Sequence, residues 1–114
     1  MERTPRQHPR FRAALPVELR ATAVNAPLRA QTQDIGMGGL YVEMSLTQKT
    51  STEVEIVLWI GDNKVSAKGV VVSSHPSFGN GIKFTDLPEE SREKLRRYLD
   101  SLAGAAIGRG AGTR

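Results

Sequence analysis

The sequence contains no cysteine among its 114 residues. This absence excludes disulfide bonds, thiolate nucleophiles and zinc sites built on cysteine. Long apolar runs are also missing, because the stretch over residues 54–60 is interrupted by Glu55 and is far shorter than the roughly 18 residues of a membrane-spanning helix. The polar N-terminus has no apolar segment behind it, so we expect a cytoplasmic protein without a secretory signal or membrane segment.

The residues of common catalytic sites are scarce. The chain has 2 histidines, His8 and His75, and each precedes a proline without a second ligand at metal-binding spacing. We interpret both as exposed loop residues. No serine lies in a G-x-S-x-G elbow, and the glycine-rich residues 36–39 lack the Lys-Ser/Thr that ends a phosphate loop. We therefore predict that the protein is not an enzyme and has no metal or catalytic cofactor.

Lysine is absent from residues 1–29, which contain 6 arginines and 2 acidic residues. Residues 30–114 hold 10 basic and 10 acidic residues, so the net charge of +4 belongs entirely to the first quarter of the chain. Arginine presents a flat fork of donors and a stacking face, whereas lysine presents a point charge. The pattern favours an anionic ligand that is recognised by geometry.

Alternating apolar and polar residues predict about six short strands separated by turn signals. These strands cover residues 16–24, 28–34, 40–44, 53–60, 64–74 and 80–84. Such a pattern is typical of an all-β fold, a small antiparallel barrel or sandwich.

One helix is predicted after the strands. Pro88 fits its first turn, and the acidic residues at 89 and 90 suit its positive N-terminal end. A single apolar stripe follows, consisting of Leu95, Tyr98, Leu99 and Leu102. Gly104 is the predicted end of the helix. We thus divide the chain into a flexible arginine-rich segment (1–14), a domain of barrel and helix (15–103) and a disordered tail (104–114).

Arg6 and Arg10 stand four residues apart beside Pro5 and Pro9, which exclude a helix there. In an extended segment, this spacing puts both side chains on one side. A guanidinium matches phosphate oxygens and the O6 and N7 atoms of guanine, and it stacks on a purine. The alternative is a disordered basic arm without a binding site.

Asp34 stands at the end of a predicted strand, just before the glycine-rich residues 36–39. Its carboxylate can accept two N–H donors, which suits a guanine edge, and amides beside glycine can receive an anionic oxygen. The alternative is a tight turn that Asp34 caps.

These residues resemble the two motifs of the PilZ domain family, whose members are typically six-stranded antiparallel barrels with a C-terminal helix. Arg6 and Arg10 match the family's R-x-x-x-R, and Asp34 and Gly39 match the ends of its [D/N]-x-S-x-x-G. Residues 79–87 are similar to its final strand and exit into the helix. The resemblance covers roughly residues 3–102 and implies this fold, a six-stranded barrel plus one C-terminal α-helix.

Many PilZ domains bind the bacterial second messenger cyclic di-GMP, so the resemblance implies this ligand and a role for each matching residue. Arg6 and Arg10 would contact its phosphates and guanines, Asp34 would bond a guanine edge, and Gly39 would allow close approach. Gly36 replaces the serine of the motif. Loss of the hydroxyl removes a hydrogen bond of about 0.5–1.5 kcal/mol, or up to about tenfold in affinity, and a backbone amide or water at Gly36 can replace part of it.

Three functions follow as hypotheses. The first is a cyclic di-GMP receptor that relays the signal to an unidentified protein partner. The second is a PilZ-like protein-interaction module that does not bind the ligand, which Gly36 favours. The third is a binder of single-stranded nucleic acid through the basic arm. The scarcity of aromatic residues, 5% of the chain, and the balanced charge after residue 29 disfavour the third.

Overall fold

A computed structural model of the chain describes residues 9–21 and 26–111, which form seven β-strands and one α-helix. The elements are β1 (Arg10–Arg12), β2 (Pro16–Ala21), β3 (Leu28–Gly36), β4 (Gly39–Glu43), β5 (Glu53–Ile60), β6 (Asn63–His75), β7 (Gly79–Asp86) and α1 (Glu89–Ala111).

Six of the strands close into an antiparallel barrel. Their order is β3-β2-β5-β6-β7-β4, and a further pairing between β3 and β4 completes the ring. The predicted six-stranded barrel with one C-terminal helix is confirmed. Because the two edge strands of the sheet, β3 and β4, pair with each other, the barrel lacks the exposed edges of an open sheet.

The seventh strand, β1, shows that residues 10–12 belong to the sheet, although they lie in the segment 1–14 that was predicted to be flexible. Arg10–Arg12 pairs with β3 opposite residues 34–36. The physical reason is the length of β3: β2 pairs with it from Leu28 to Gln31, which leaves the rest of that edge available to β1. Residues 1–8, which include Arg6 and His8, lie outside the described residues.

The buried side chain of Thr32 bridges the break between β1 and β2. Its hydroxyl donates to the carbonyl of Ala13 at 2.6 Å and accepts from the amide of Leu15 at 2.9 Å. The backbone amide of Thr32 also donates to the carbonyl of Leu15 at 3.0 Å. Residues 13–15 are thus fixed although they belong to neither strand, and they hold β1 in line with β2.

Alternate residues of the barrel strands fill its interior, as the alternation predicts. The buried apolar side chains of the strands are Val17, Leu19, Ala21, Ile35, Leu40, Val42, Val54, Ile56, Leu58, Val65, Ala67, Val71 and Ile82. Leu95 and Leu99 of α1 join this core. The helix is also tied to β6, because the Ser91 hydroxyl donates to the carbonyl of Ser66 at 2.6 Å and accepts from its amide at 3.2 Å.

The predicted bounds match at β5 and differ at the other strands. The strand β4 is shifted by one residue from the predicted 40–44, and the predicted end of β2 at residue 24 lies outside the described residues. The strands β3, β6 and β7 each extend one or more residues beyond their predicted ends, because neighbouring strands provide partners for the additional backbone groups. The helix continues through Gly104 to Ala111, so its predicted end at Gly104 is wrong. The predicted tail 104–114 is thus helical as far as Ala111, and residues 112–114 lie outside the described residues. A glycine inside a helix costs only about 1 kcal/mol relative to alanine. No helix in the described part of the chain is both long and apolar enough to cross a membrane.

Candidate functional site

An ion pair joins the two sequence motifs on the outside of the barrel. Nη1 of Arg10 on β1 donates to Oδ1 of Asp34 on β3 at 2.6 Å, and each side chain is 22% exposed. Arg10 and Arg12 pair with Gly36 and Asp34, whereas Phe11 between them pairs with the buried Ile35. Because strand side chains alternate, both arginines lie on the outer face together with Asp34. The guanidinium has five N–H donors, so this contact leaves others for a ligand.

An irregularity in β3 sets the direction of Asp34. The register between β3 and β4 shifts between Thr32 and Asp34. This places one extra residue, Gln33, in the ladder, and both Gln33 and Asp34 are partly exposed. Bulges of this kind re-aim side chains next to binding sites. Here the bulge lets Thr32 point into the barrel while Asp34 points outward to Arg10.

Two glycines of the second motif allow strands to approach closely. A Cβ on Gly36 would lie 2.5 Å from the carbonyl oxygen of Pro9, just before β1. A Cβ on Gly39 would collide with the carbonyl oxygen of Ile82 on β7. Gly36 therefore accommodates the N-terminal segment, and Gly39 accommodates the pairing of β4 with β7. The turn between β3 and β4 is reduced to residues 37 and 38.

The sequence did not reveal Tyr41 and His75 as neighbours of this site. Tyr41 on β4 is the direct cross-strand partner of Asp34. Its hydroxyl is hydrogen-bonded to Nδ1 of His75, 3.0 Å away at the end of β6. Alternation over residues 40–44 could have placed Tyr41 on the outer face, but no sequence signal pairs it with a residue 34 positions later. Burial, followed by the charges of Asp34 and Glu43, raises the pKa of Tyr41.

Cations surround the end of β3 that carries the motif. Arg12 and Lys83 are exposed, Arg12 as the cross-strand partner of Asp34 and Lys83 as that of Gly39. The described residues hold no group of three or more His, Asp or Glu side chains that could bind a metal ion. The face thus combines guanidinium donors, one carboxylate and an aromatic ring, which are suited to a ligand with both anionic and planar parts.

The sequence matches the model of the PilZ domain over residues 4–101. No curated protein sequence matches the chain. Among solved structures, the PilZ domain of YcgR from Escherichia coli with c-di-GMP has a TM-score of 0.74 at 14% identity, over 96% of this chain and 100% of that one. The PilZ domain of CeSA from a cellulose synthesizing bacterium has a TM-score of 0.66 at 23% identity, over 82% of this chain and 97% of that one.

The inhibitor of motility MotI/DgrA from Bacillus subtilis has a TM-score of 0.73 at 16% identity. That match covers 97% of this chain and 54% of MotI, so the chain spans about half the length of that protein. At these identities the structural likenesses show the fold, and the match of the family model to most of the chain shows the family. The chain belongs to the PilZ domain family.

Proposed function

We propose that this domain is a receptor for cyclic di-GMP and that a protein partner recognises its ligand-bound form. The observation that carries the proposal is the Arg10–Asp34 ion pair, which joins residues from both motifs across 24 positions of sequence. The YcgR PilZ domain, solved with c-di-GMP, has the same fold. PilZ domains are receptor or regulatory modules, and we place this one in the cytoplasm.

Arg10 and Asp34 have complementary tasks in this proposal. Arg10, together with Arg6, binds the phosphates and guanines of the ligand, because a guanidinium can bond both and can also stack on the base. Asp34 accepts hydrogen bonds from the N–H donors of a guanine edge. The backbone at Gly36 and Gly39 lets the ligand approach closely.

In this proposal, ligand binding replaces the Arg10–Asp34 ion pair with contacts from each of these residues to the ligand. Arg10 and Asp34 pair with each other at 2.6 Å. The ligand brings an anion for Arg10 and N–H donors for Asp34, so neither charge is left unpaired when they separate. The strand β1 pairs with β3 through only three residues. Movement of Arg10 therefore reshapes the surface formed by β1, and this surface is what the partner recognises.

Calorimetric titration of the full chain with cyclic di-GMP tests the proposal. We expect saturable binding to the wild type. Arg6→Ala, Arg10→Ala and Asp34→Ala should each weaken it by at least about tenfold, since hydrogen bonds to charged groups contribute about 1.5–3 kcal/mol. Arg20→Ala is the matched control, because Arg20 is an exposed arginine on β2 opposite Glu55 of β5. Absence of binding at high micromolar ligand would refute the receptor function.

A second candidate is a PilZ domain that docks a protein partner without the ligand. Gly36 favours it, because the motif serine is missing and the Cβ position is blocked by Pro9. In that case, Arg10 and Asp34 serve only to hold β1 on the barrel. Cellular function that survives the combined variant Arg6→Ala/Arg10→Ala would support this candidate, whereas loss of function together with loss of binding would support the receptor.

A further inference from the structure

The ring of Tyr41 lies over two glycines of β7, Gly79 and Gly81. A Cβ on Gly79 would lie 2.7 Å from Cε1 of the ring, and a Cβ on Gly81 would lie 3.8 Å from its Cδ2. A side chain at position 79 would therefore displace the ring. The two glycines alternate with Asn80 and Ile82, so both lie on the outer face of the strand. They are nevertheless buried there, because Tyr41 covers both and Ser73 also covers Gly81.

The far end of the ring is fixed by β6. The hydroxyl lies 3.0 Å from Nδ1 of His75, and the two ring centroids are 5.8 Å apart with their planes tilted by 40°. Tyr41 thus crosses from β4 over β7 to β6. A ring held in this way loses little conformational entropy when a ligand covers it, which favours binding.

The ring lies between the Arg10–Asp34 ion pair and a surface groove. Tyr41 faces Asp34 across the β3–β4 ladder, and directly opposed Cβ atoms in such pairs are about 4.5–5.5 Å apart. Tyr41 also lines a surface groove of about 400 Å³, whose walls include Gln33, Glu43, Met44 and Phe78. Gln33 reaches this groove because it is the extra residue of the bulge.

The geometry points to Tyr41 as the stacking surface for one guanine of bound cyclic di-GMP, with the base entering the groove between Gln33 and Phe78. This inference rests on the proposed receptor function and adds the residue that holds a base. Arg10 binds the phosphate beside Asp34, and the flat ring one strand away takes the base. Every nucleobase has a face that can stack on an aromatic ring, so Tyr41 contributes affinity, and Asp34 and the arginines contribute selectivity.

Titration of Tyr41 variants with cyclic di-GMP tests the inference. Tyr41→Leu keeps an apolar side chain but removes the ring, and we expect binding to weaken about 10- to 100-fold. Tyr41→Phe retains the ring and loses the hydrogen bond to His75, and we expect affinity within about threefold of the wild type. Circular dichroism checks that both variants remain folded.

A spectroscopic readout separates stacking from a purely structural role. Ring current from Tyr41 should move the H8 proton of one guanine upfield in complexes of the wild type and Tyr41→Phe, and this shift should vanish with Tyr41→Leu. If Tyr41→Leu binds as tightly as the wild type while Arg10→Ala loses binding, the stacking role is wrong and the receptor function stands. If the wild type itself does not bind cyclic di-GMP, both proposals are wrong.

Discussion

A Cβ atom on Gly36 would lie 2.5 Å from the carbonyl oxygen of Pro9 and 3.3 Å from Cδ of Arg10. The space of a side chain at position 36 is therefore already occupied by the backbone that leads into β1. In the family motif, a serine stands at this position. The glycine removes a hydroxyl from the candidate site, but it also admits the segment that brings Arg10 to Asp34.

Gly36→Ser should therefore destabilise the domain, although it restores the family motif. The backbone at Pro9 must move to admit the new side chain, and overpacking of this kind costs about 1–3 kcal/mol. We expect a lower free energy of unfolding in urea and weaker binding of cyclic di-GMP. Gly104→Ser is the matched control, because a Cβ there meets no atom within 4 Å. Unchanged stability with tighter binding would contradict this account of Gly36.

Thr32→Val should release β1 from its position. Valine has nearly the same shape but cannot bond the carbonyl of Ala13 or the amide of Leu15. A backbone group left without a partner costs up to about 1–3 kcal/mol, and both of these groups are partly buried. We expect a loss of unfolding free energy in this range or above it, and faster amide exchange of Phe11. Thr85→Val on the exposed part of β7 should change stability by less than about 0.5 kcal/mol. Equal effects at both positions would argue against the bridging role of Thr32.

Asn80→Leu should detach the loop between β4 and β5. The side chain of Asn80 is fully buried. Its Oδ1 accepts from the amide of Gln48 at 2.7 Å, and its Nδ2 donates to the carbonyls of Gln48 at 2.9 Å and Ser73 at 3.1 Å. We expect a loss of about 3 kcal/mol in unfolding free energy. Hydrogen exchange should show the largest loss of protection at Gln48; an evenly distributed loss would contradict a local tether.

Two tyrosines should make the domain less stable in alkali. Burial raises the pKa of Tyr41, with further contributions from Asp34 and Glu43, and burial also raises the pKa of Tyr98. An unfolded chain releases these protons at about pH 10, before the folded chain does. The unfolded state then binds fewer protons, so stability falls as the pH rises through this range. Tyr41→Phe and Tyr98→Phe should each flatten the decline in unfolding free energy between about pH 9 and pH 11.

Absorbance titration of the phenolate in single-tyrosine variants assigns the two groups. With Tyr98→Phe as background, Asp34→Asn should lower the pKa of Tyr41, because it removes one of the charges that raise it. The same Asp34→Asn change should leave Tyr98 unaffected in a Tyr41→Phe background. A pKa of Tyr41 that does not respond to Asp34 would contradict their proximity on the outer face.

The barrel could be predicted from the sequence because its signals are local. Alternation along residues 53–60 gives the bounds of β5, and the stripe that contains Leu95 and Leu99 gives the buried face of α1. The resemblance to the PilZ motifs singled out Arg10 and Asp34, and the structure brings these two together. Arg6 lies outside the described residues, so its part in the site stays a prediction.

The features that the sequence did not predict depend on distant partners. The strand β1 forms because β3 extends beyond its pairing with β2. The contact between Tyr41 and His75 requires the glycines of β7 to lie between them. The predicted helix end at Gly104 is wrong for another reason. A glycine weakens a helix but does not by itself end it, and the helical backbone continues through Gly104 to Ala111.

Since β1 has β3 as its strand partner and lies outside the ring of six strands, it can leave the sheet without opening the barrel. Its detachment breaks three residue pairs and the bridge at Thr32 and withdraws Phe11 from the edge of the core, whereas removal of any strand of the ring would break the barrel itself. The arginine segment and the barrel are therefore two cooperative units of different stability within one small domain. Mutations in β1 can therefore change the free energy of its local opening over a wide range while the barrel remains folded.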